Sequence, residues 1–250
     1  MKRRYGLVLL LVLFGAVSCF SLPEMIEPEG PTVIHWRGDG EIGKSVLRLV
    51  DEVRGLVAVK MGAEDIRYGE PSPWSSSPSL YFDNGSNQNG GFFKVSDGPV
   101  VDLQLMDAFT IEVTLKPSSI RQSVILRKTE GTSSNGYQLV LTANGSVAFY
   151  LGNAELNRYV VSSGGAVAAD TWYHVAATFG NGEMALYLNG ELVQSKPFEE
   201  PLEDTSGVLG IGALVRDTEG LNTGQYYHGF IGEIKVSDYC LDPSEFLINL

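Results

Sequence analysis

The sequence is poor in cysteine, histidine and positive charge, and each shortage excludes a class of protein. Its 250 residues include only two cysteines, so a framework of several disulfide bonds is excluded. Eighteen basic residues stand against 30 acidic ones, which gives a formal net charge of −12. Such a surface repels phosphate backbones, and we therefore expect no nucleic-acid partner. The three histidines, His35, His174 and His228, are far apart in sequence and lack the Cys or Glu spacing of a zinc site.

Long apolar runs are also missing after the N-terminus, so no later segment is expected to span a membrane. The apolar run at residues 7–14 is too short for a bilayer and follows three basic residues. Small residues at 16–18 complete the pattern of a secretory signal peptide over residues 1–18. Val17-Ser18-Cys19 resembles a bacterial lipobox, with Ala16 where leucine is usual. The sequence therefore predicts an extracytoplasmic protein, which is either secreted, periplasmic or an outer-membrane lipoprotein anchored through Cys19.

The rest of the chain is predicted to be a tether and one domain. Residues 19–31 hold three prolines and no hydrophobic periodicity, which is typical of a tether. Residues 32–250 carry about a dozen short apolar segments separated by Gly and Asn turns, a pattern typical of an all-β protein. A hydrophobic fraction of 44% is enough for one sizeable core. We therefore expect two antiparallel sheets packed face to face over residues 32–250.

The clearest of these segments lies at residues 170–193. Aromatic, Val and Thr residues fill positions 172–179, and a Gly-Asn-Gly turn follows. Asn189-Gly190 is the strongest short hairpin signal, because a type I′ turn needs positive φ at both central residues. The segment is predicted to be a three-stranded antiparallel meander. Trp172 is expected to open its first strand and to pack between the two sheets.

Further strands are predicted at residues 32–36, 79–82, 92–95, 109–116, 124–127, 137–142, 147–151 and 159–162, and the alternation is clearest at 109–116. In residues 109–116 the apolar positions 109, 111, 113 and 115 are expected to face the core. Residues 55–79 contain three prolines and five serines and are predicted to form a loop. Asp242 and Glu245 flank Pro243 as a capping box for a short helical turn.

The hairpin also carries a family resemblance. The run Trp-Tyr-His-Val-Ala-Ala-Thr-Phe at 172–179, followed by Leu-Tyr-Leu-Asn-Gly-Glu-Leu-Val at 186–193, resembles the signature hairpin of laminin G-like jelly-roll domains. These domains belong to the concanavalin A-like lectin and glucanase superfamily. Residues 79–95, 109–117, 208–213 and 227–238 also match the family's pattern, in the family's order, and the resemblance implies strands at 208–213 and 227–238. The resemblance implies an all-β, two-sheet antiparallel jelly-roll β-sandwich.

What the resemblance implies about function is a non-catalytic recognition module that binds a carbohydrate or a cell-surface partner. A structural or assembly protein of the cell envelope is the alternative. Enzymes of the superfamily are a third possibility, but the Glu-x-Asp-x-x-Glu run of its glucanases is missing, as are the Gln-Ile-His and Tyr-x-Lys motifs of its alginate lyases. Retaining glycosidases need two carboxylates on one face about 5 Å apart. We therefore expect no enzymatic activity.

The resemblance also implies a structural Ca²⁺ site at the sandwich edge. Asp39 matches the acidic residue of the family's opening strand. In the closing strand Gly232 stands where relatives have aspartate, and Glu233 remains as the second candidate ligand. Calcium needs six to eight oxygen ligands, which loops can supply.

Two other expectations concern single residues and the ligand. Cys240 is expected to be a buried thiol, with a bridge to Cys19 as the alternative, and His174 is expected to be hydrogen-bonded within the sheet. Sugar sites combine aromatic rings with amides and carboxylates, and these occur together near predicted turns. The candidate ligand-binding residues are Trp74, Asp83, Asn84, Asn87, Tyr226 and Tyr227.

Overall fold

The computed structural model describes residues 32–86, 88–131, 135–152, 158–200, 202 and 204–249. The expected signal peptide, tether, Cys19 and Asn87 lie outside the described residues. The strands are, in chain order, β1 (Thr32–Trp36), β2 (Arg48–Val50), β3 (Val57–Met61), β4 (Ile66–Gly69), β5 (Ser79–Phe82), β6 (Phe92–Val95), β7 (Phe109–Pro117), β8 (Ser123–Lys128), β9 (Gly136–Leu141), β10 (Val147–Gly152), β11 (Arg158–Ser162), β12 (Tyr173–Gly180), β13 (Glu183–Leu188), β14 (Glu191–Pro197), β15 (Leu209–Ile211), β16 (Leu214–Val215), β17 (Thr223–Gly224) and β18 (Gly229–Ser237). Short 3₁₀ turns cover Leu103–Leu105, Pro243–Glu245 and Leu247–Asn249. In the described part of the chain, no helix is both long and apolar enough to cross a membrane.

Two eight-stranded antiparallel sheets make up the fold, which confirms the expected all-β jelly-roll sandwich. The first sheet has the order β14-β13-β12-β7-β18-β5-β4, and β1 pairs with the second half of β18. The second sheet has the order β11-β10-β9-β8-β15-β6-β3-β2. Strands β16 and β17 form a separate two-stranded ribbon.

The core lies between the two sheets and follows from alternation along each strand. In β7 the side chains of Phe109, Ile111, Val113 and Leu115 are fully buried in it, as predicted. Strand β12 contributes Tyr173, Val175 and Ala177 from the neighbouring position in the sheet. Side chains of one strand alternate between the two faces of a sheet, so the residues between these point away from the core.

The meander at the edge of the first sheet is confirmed. Strands β12, β13 and β14 pair in sequence. Asn189 and Gly190 both have positive φ, at 52° and 82°, as the turn between β13 and β14 requires. The helical turn at Pro243–Glu245 has the expected capping box on Asp242.

Two sequence predictions about this sheet and its neighbour are wrong. Residues 55–79 are not one loop, because they contain β3 and β4. Trp172 does not pack between the sheets: it is half-buried and contacts Phe230 on the outer face of the first sheet. The core position at the start of β12 belongs to Tyr173 instead.

The outer face of the first sheet is partly covered by two chain segments. Residues 71–78 cross it, so that the Trp74 ring meets the His174 ring edge-on at 6.4 Å. The C-terminal segment adds Phe246, whose ring lies 5.6 Å from that of His174. Beneath them the buried Glu112 carboxylate lies 3.1 Å from Nε2 of His174 and accepts the backbone N–H of Leu247 at 2.6 Å. His174 is thus hydrogen-bonded within the sheet, as expected, while at the open end of this face, near Gly229, the side chains of Lys116 and Phe230 are half-buried.

Candidate ligand-binding site

A row of aromatic and basic side chains crosses the open end of this outer face. Arg67 of β4 pairs with Tyr81 of β5, and Tyr81 pairs with Phe230 of β18. Phe230 pairs with Lys116 of β7. Trp172 lies next, because the residue after it, Tyr173, pairs with Leu115. Directly opposed residues share one face of an antiparallel sheet, so these five side chains form one line, which we call the aromatic row.

The side chains of the aromatic row touch each other in sequence. The guanidinium of Arg67 lies 5.9 Å from the centre of the Tyr81 ring, and the rings of Tyr81 and Phe230 are 4.7 Å apart. The ammonium of Lys116 lies 4.4 Å from the centre of the Phe230 ring and 5.8 Å from that of Trp172. These distances fall within the range of cation–π and tilted aromatic contacts. All five residues are half-buried, so part of each side chain is held by its neighbours and part meets solvent.

A glycine makes the space for the central ring. A Cβ atom at Gly69 would lie 2.7 Å from Cε1 of Phe230, which is closer than two carbon atoms can approach without displacement. The φ angle of Gly69 is not in the left-handed region, so its role is to leave room rather than to allow a turn. Beside it lies a shallow cavity of about 360 Å³ whose lining includes Ile42, Tyr81 and Phe230.

Polar groups flank the aromatic row at the Tyr81 end. The hydroxyl of Tyr81 and the hydroxyl of Ser119 each lie 3.3 Å from a ring nitrogen of His228. Burial, followed by the nearby Asp83 carboxylate, raises the pKa of Tyr81. Burial and the positive charge of Arg121 lower the pKa of His228. Near neutral pH both side chains are therefore uncharged, and they offer hydroxyl and imidazole hydrogen bonds beside the rings.

Both basic residues of the aromatic row are already neutralised by carboxylates. Arg67 donates to Asp83 at 2.6 Å, and Lys116 donates to Glu70. Glu70 and Asp83 are about half-exposed, with side-chain exposures of 55% and 44%. The row therefore combines three aromatic rings with balanced charge and accessible carboxylate oxygens.

Three of the six predicted ligand-binding residues are buried, so the expected exposed platform of amide and aromatic groups is not found at them. The Asn84 amide donates to the carbonyls of Gly91 and Tyr227 at 2.8 and 2.7 Å, and it accepts the N–H of Gly91 at 2.7 Å. Tyr227 is fully buried and donates to the carbonyl of Phe230 at 3.1 Å. Tyr226 is buried against Phe92. These residues hold the strand ends together beneath the site.

The other predicted ligand-binding residues have different places. Asp83 lies beside the aromatic row through its ion pair with Arg67. Trp74 is half-buried over His174, in the segment that covers the middle of the face. Asn87 is outside the described residues.

The two predicted calcium ligands each have a protein partner. Asp39 accepts a hydrogen bond from Tyr68 at 2.8 Å, and burial together with this bond raises the pKa of Tyr68 to about 12. Glu233 lies 2.8 Å from Nε2 of His35. Burial opposes ionisation of Glu233, but hydrogen bonds from His35 and Ser75 outweigh it and lower the pKa of this carboxyl. Among the described residues no group of three or more His, Cys, Asp or Glu side chains is arranged to hold a metal, and the calcium site stays a prediction.

Sequence reasoning missed four members of the aromatic row as ligand-binding candidates and misplaced Trp172. The four residues Arg67, Tyr81, Lys116 and Phe230 lie in ordinary strand patterns and are spread over the chain from position 67 to position 230. The one available signal was the alternation in β5 and β18. Because Phe82 and Ile231 face the core, their neighbours Tyr81 and Phe230 must lie on the outer face of the sheet.

Comparison with known proteins identifies the family. The model of the Laminin G 3 family, described as concanavalin A-like lectin/glucanases superfamily, matches residues 85–246. This is more than half of the chain, and the protein belongs to this family. Strands β1–β5 precede the matched residues and complete the same sandwich. No curated protein shows a significant sequence match.

Solved structures share the fold at low sequence identity. The binding domain of botulinum neurotoxin DC in complex with rat synaptotagmin II has a TM-score of 0.64 at 14% identity and covers 88% of this chain. The binding domain of botulinum neurotoxin serotype C1 has a TM-score of 0.63 at 14% identity and covers 88%. A botulinum neurotoxin type C structure, from work on cell entry dependent on two ganglioside molecules, has a TM-score of 0.63 at 16% identity and also covers 88%. The chain spans about half the length of these structures, and at this identity the likeness shows the fold alone.

Proposed function

We propose that the protein is a non-catalytic recognition module that binds carbohydrate on the aromatic row. The observation that carries this proposal is the line of Tyr81, Phe230 and Trp172 rings, each half-buried and each touching its neighbour. Sugar rings present C–H faces that stack on aromatic rings, while their hydroxyls need nearby polar groups. The row offers both, since Glu70, Asp83 and the Tyr81 hydroxyl lie beside the rings.

Rigidity of the row supports binding. Phe230 is held over Gly69 and between Tyr81 and Lys116, and Tyr81 is held between Arg67 and Phe230. Side chains fixed before binding lose little conformational entropy when a ligand arrives. Ligand sites are commonly apolar surfaces with a few well-placed polar groups.

The charge arrangement supports binding rather than hydrolysis. A glycosidase needs one carboxyl group as acid and another as base or nucleophile. The carboxylates that flank the row, Glu70 and Asp83, are instead engaged with Lys116 and Arg67. The missing Glu-x-Asp-x-x-Glu run agrees with this reading.

We further propose that the module acts outside the cytoplasm, on a glycan or a glycan-bearing partner at a cell surface. The support is the signal-peptide pattern of residues 1–18 and the lipobox-like sequence before Cys19. Structures with the same fold include a domain solved in complex with rat synaptotagmin II and one from work on cell entry dependent on two ganglioside molecules, which agrees with a surface partner.

A glycan array probed with the purified protein tests the proposed function. We expect retention of at least one glycan by the wild type, loss of that signal for Phe230→Ala, and no change for Tyr150→Ala. Tyr150 is a matched control because it is half-buried on the outer face of the opposite sheet, beside Val124 and Val140. Absence of any glycan signal would contradict glycan binding and favour the alternative, a structural or assembly protein of the cell envelope. Release of reducing sugar from a retained glycan would contradict the non-catalytic proposal.

A further inference from the structure

We propose that the aromatic row binds an uncharged oligosaccharide lengthwise, with at least three consecutive sugar units lying across the strands of the first sheet. This inference rests on the proposed function and adds the ligand's length, direction and charge. Its support is the geometry of the row and the pairing of each cation in it.

The length follows from the direction of the row. It crosses five strands, β4, β5, β18, β7 and β12, at the positions given by the register. Neighbouring strands are about 4.8 Å apart, so the row is about 19 Å long. Its three rings follow one another at 4.7 Å and 6.1 Å and are tilted by 38° and 50° to each other, so one sugar ring cannot lie flat on two of them. A ligand that uses all three rings therefore has at least three units in a line perpendicular to the strands.

The open ends of the row favour an internal stretch of a longer chain. At one end Arg67 and Tyr81 border the shallow cavity of about 360 Å³ next to the exposed Ile42. At the other end Trp172 is half-exposed beside the exposed Asp170. Because both ends reach solvent-accessible residues, a polysaccharide can continue past the row in either direction.

The charge of the ligand follows from the ion pairs. A carboxylated or sulfated sugar would need a cation, but Arg67 donates to Asp83 at 2.6 Å and Lys116 donates to Glu70. An anionic ligand would have to break these pairs and leave the Glu70 or Asp83 carboxylate beside another negative charge, which is unfavourable. The formal net charge of −12 adds long-range repulsion. Uncharged hydroxyls, in contrast, can donate to these carboxylates without disturbing the pairs.

Calorimetric titration of the purified protein tests the inference. The probes are uncharged gluco- and manno-oligosaccharides of one to six units and oligogalacturonates of the same lengths. We expect one uncharged series to gain at least about tenfold in affinity from one unit to three, as each added unit reaches a further ring. We expect oligogalacturonates of equal length to bind more weakly at every length.

Matched variants assign the binding to the row. Phe230→Ala is expected to weaken trisaccharide binding by about tenfold or more. Gly69→Ala is expected to do the same without removing an aromatic residue, because the new methyl group displaces the Phe230 ring. Gly85→Ala is its control, since a Cβ there meets nothing within 4 Å, and Tyr150→Ala is the control for Phe230→Ala. Both controls are expected to bind within about twofold of the wild type.

The outcomes separate this inference from the proposed function. Tightest binding of oligogalacturonates, lost in Phe230→Ala, would overturn the charge assignment while the row remained a glycan site. Equal affinity for one unit and three, also lost in Phe230→Ala, would overturn the lengthwise arrangement in the same way. Glycan binding that persists in both Phe230→Ala and Gly69→Ala, with both proteins folded by circular dichroism, would overturn the site itself.

Discussion

Lys128 provides a direct test of how the loops at one end of the sandwich are held. Its side chain is completely buried, and the ammonium meets four oxygens: Asp97 at 2.6 Å, Asp102 at 2.7 Å and the backbone carbonyls of Thr205 and Gly207 at 2.6 and 2.9 Å. The Lys128 ammonium thus links the β6–β7 loop and the β14–β15 loop to the end of β8. We expect Lys128→Met, which keeps most of the side-chain length, to destabilise the fold strongly.

The size of the expected stability loss follows from the polar groups that lose the Lys128 ammonium. The side chain of Asp102 is 8% exposed, so its charge would remain buried without a cation, with only the neutral Gln104 amide donating to it at 3.3 Å. Two backbone carbonyls would also lose a donor. Removing one partner of a buried ion pair costs about 3–5 kcal/mol. For a domain of this size that loss lowers the melting temperature by about 10 °C.

Urea unfolding followed by circular dichroism measures this loss. Lys94→Met is the matched control, because the Lys94 ammonium donates to the Thr218 carbonyl at the exposed surface, and it should cost under about 1 kcal/mol. Adding Asp102→Asn to Lys128→Met should restore part of the stability, because it removes the buried negative charge that has lost its cation. A loss under 1 kcal/mol for Lys128→Met would refute the reasoning.

The loss should also depend on pH. Burial raises the pKa of Asp102 in the folded protein, while the hydrogen bond and charge of Lys128 oppose that rise. Without Lys128 the pKa of Asp102 should rise further, so the folded state gains stability from protonation as pH falls toward the ordinary value of 3.8. The cost of Lys128→Met should therefore be largest near pH 7 and shrink at acid pH. A cost that grows on acidification would contradict this account.

Three further predictions concern the tryptophans, the metal and the N-terminus. Trp36→Ala should lower the free energy of unfolding in urea by about 3–5 kcal/mol, because Trp36 is 1% exposed. Trp172→Ala should lower it clearly less, since Trp172 is half-buried on the outer face, and equal losses would contradict that placement. If Ca²⁺ binds with a dissociation constant of about 10⁻³ M, a Ca²⁺ concentration ten times that value should stabilise the fold by about 1.4 kcal/mol and raise the melting temperature by a few degrees. Chelator and Asp39→Ala should each remove this rise, and no shift of the melting temperature at all would exclude the metal. Mass spectrometry of the protein from its native host should find a chain that begins at Cys19, with a diacylglyceryl mass if it is a lipoprotein, whereas an intact Met1 would contradict export.

Strand positions were largely predictable because most core strands show clear alternation. Phe109–Pro117 is the clearest example, since residues 109, 111, 113 and 115 are apolar and face the core. The strand Val57–Met61 escaped prediction because its pattern is inverted: the small Ala58 faces inward, and Val57 and Val59 are 41% and 46% exposed. The missed strand Ile66–Gly69 has only four residues and ends in glycine.

The facing of β12 could not be read from its sequence. Both sets of alternate residues contain aromatic and small apolar side chains, with Trp172 and Ala176 in one set and Tyr173 and Ala177 in the other. A shift of one residue moves every side chain to the opposite face. The usual guide, a polar outer face, is also missing here, because residues 71–78 and the C-terminal segment bury Ala176 and His174.

The aromatic row depends on an irregularity in β18 that the sequence reports only indirectly. Strict alternation along β18 would place Ile231, Glu233 and Lys235 on one face, which would send a lysine into the core. Instead Ile231 pairs with Leu115 and Ile234 pairs with Val113, so one extra residue is accommodated between them.

This bulge lets both isoleucines face the core while Phe230 and Lys235 face outward. A Cβ at Gly232 would lie 2.3 Å from Oγ1 of Thr114, so the bulge in this form requires glycine. The same residue is the one where the family resemblance places an aspartate. In this chain, the glycine that removes an expected metal ligand is therefore part of the backbone arrangement that turns Phe230 toward solvent, at the centre of the proposed binding site.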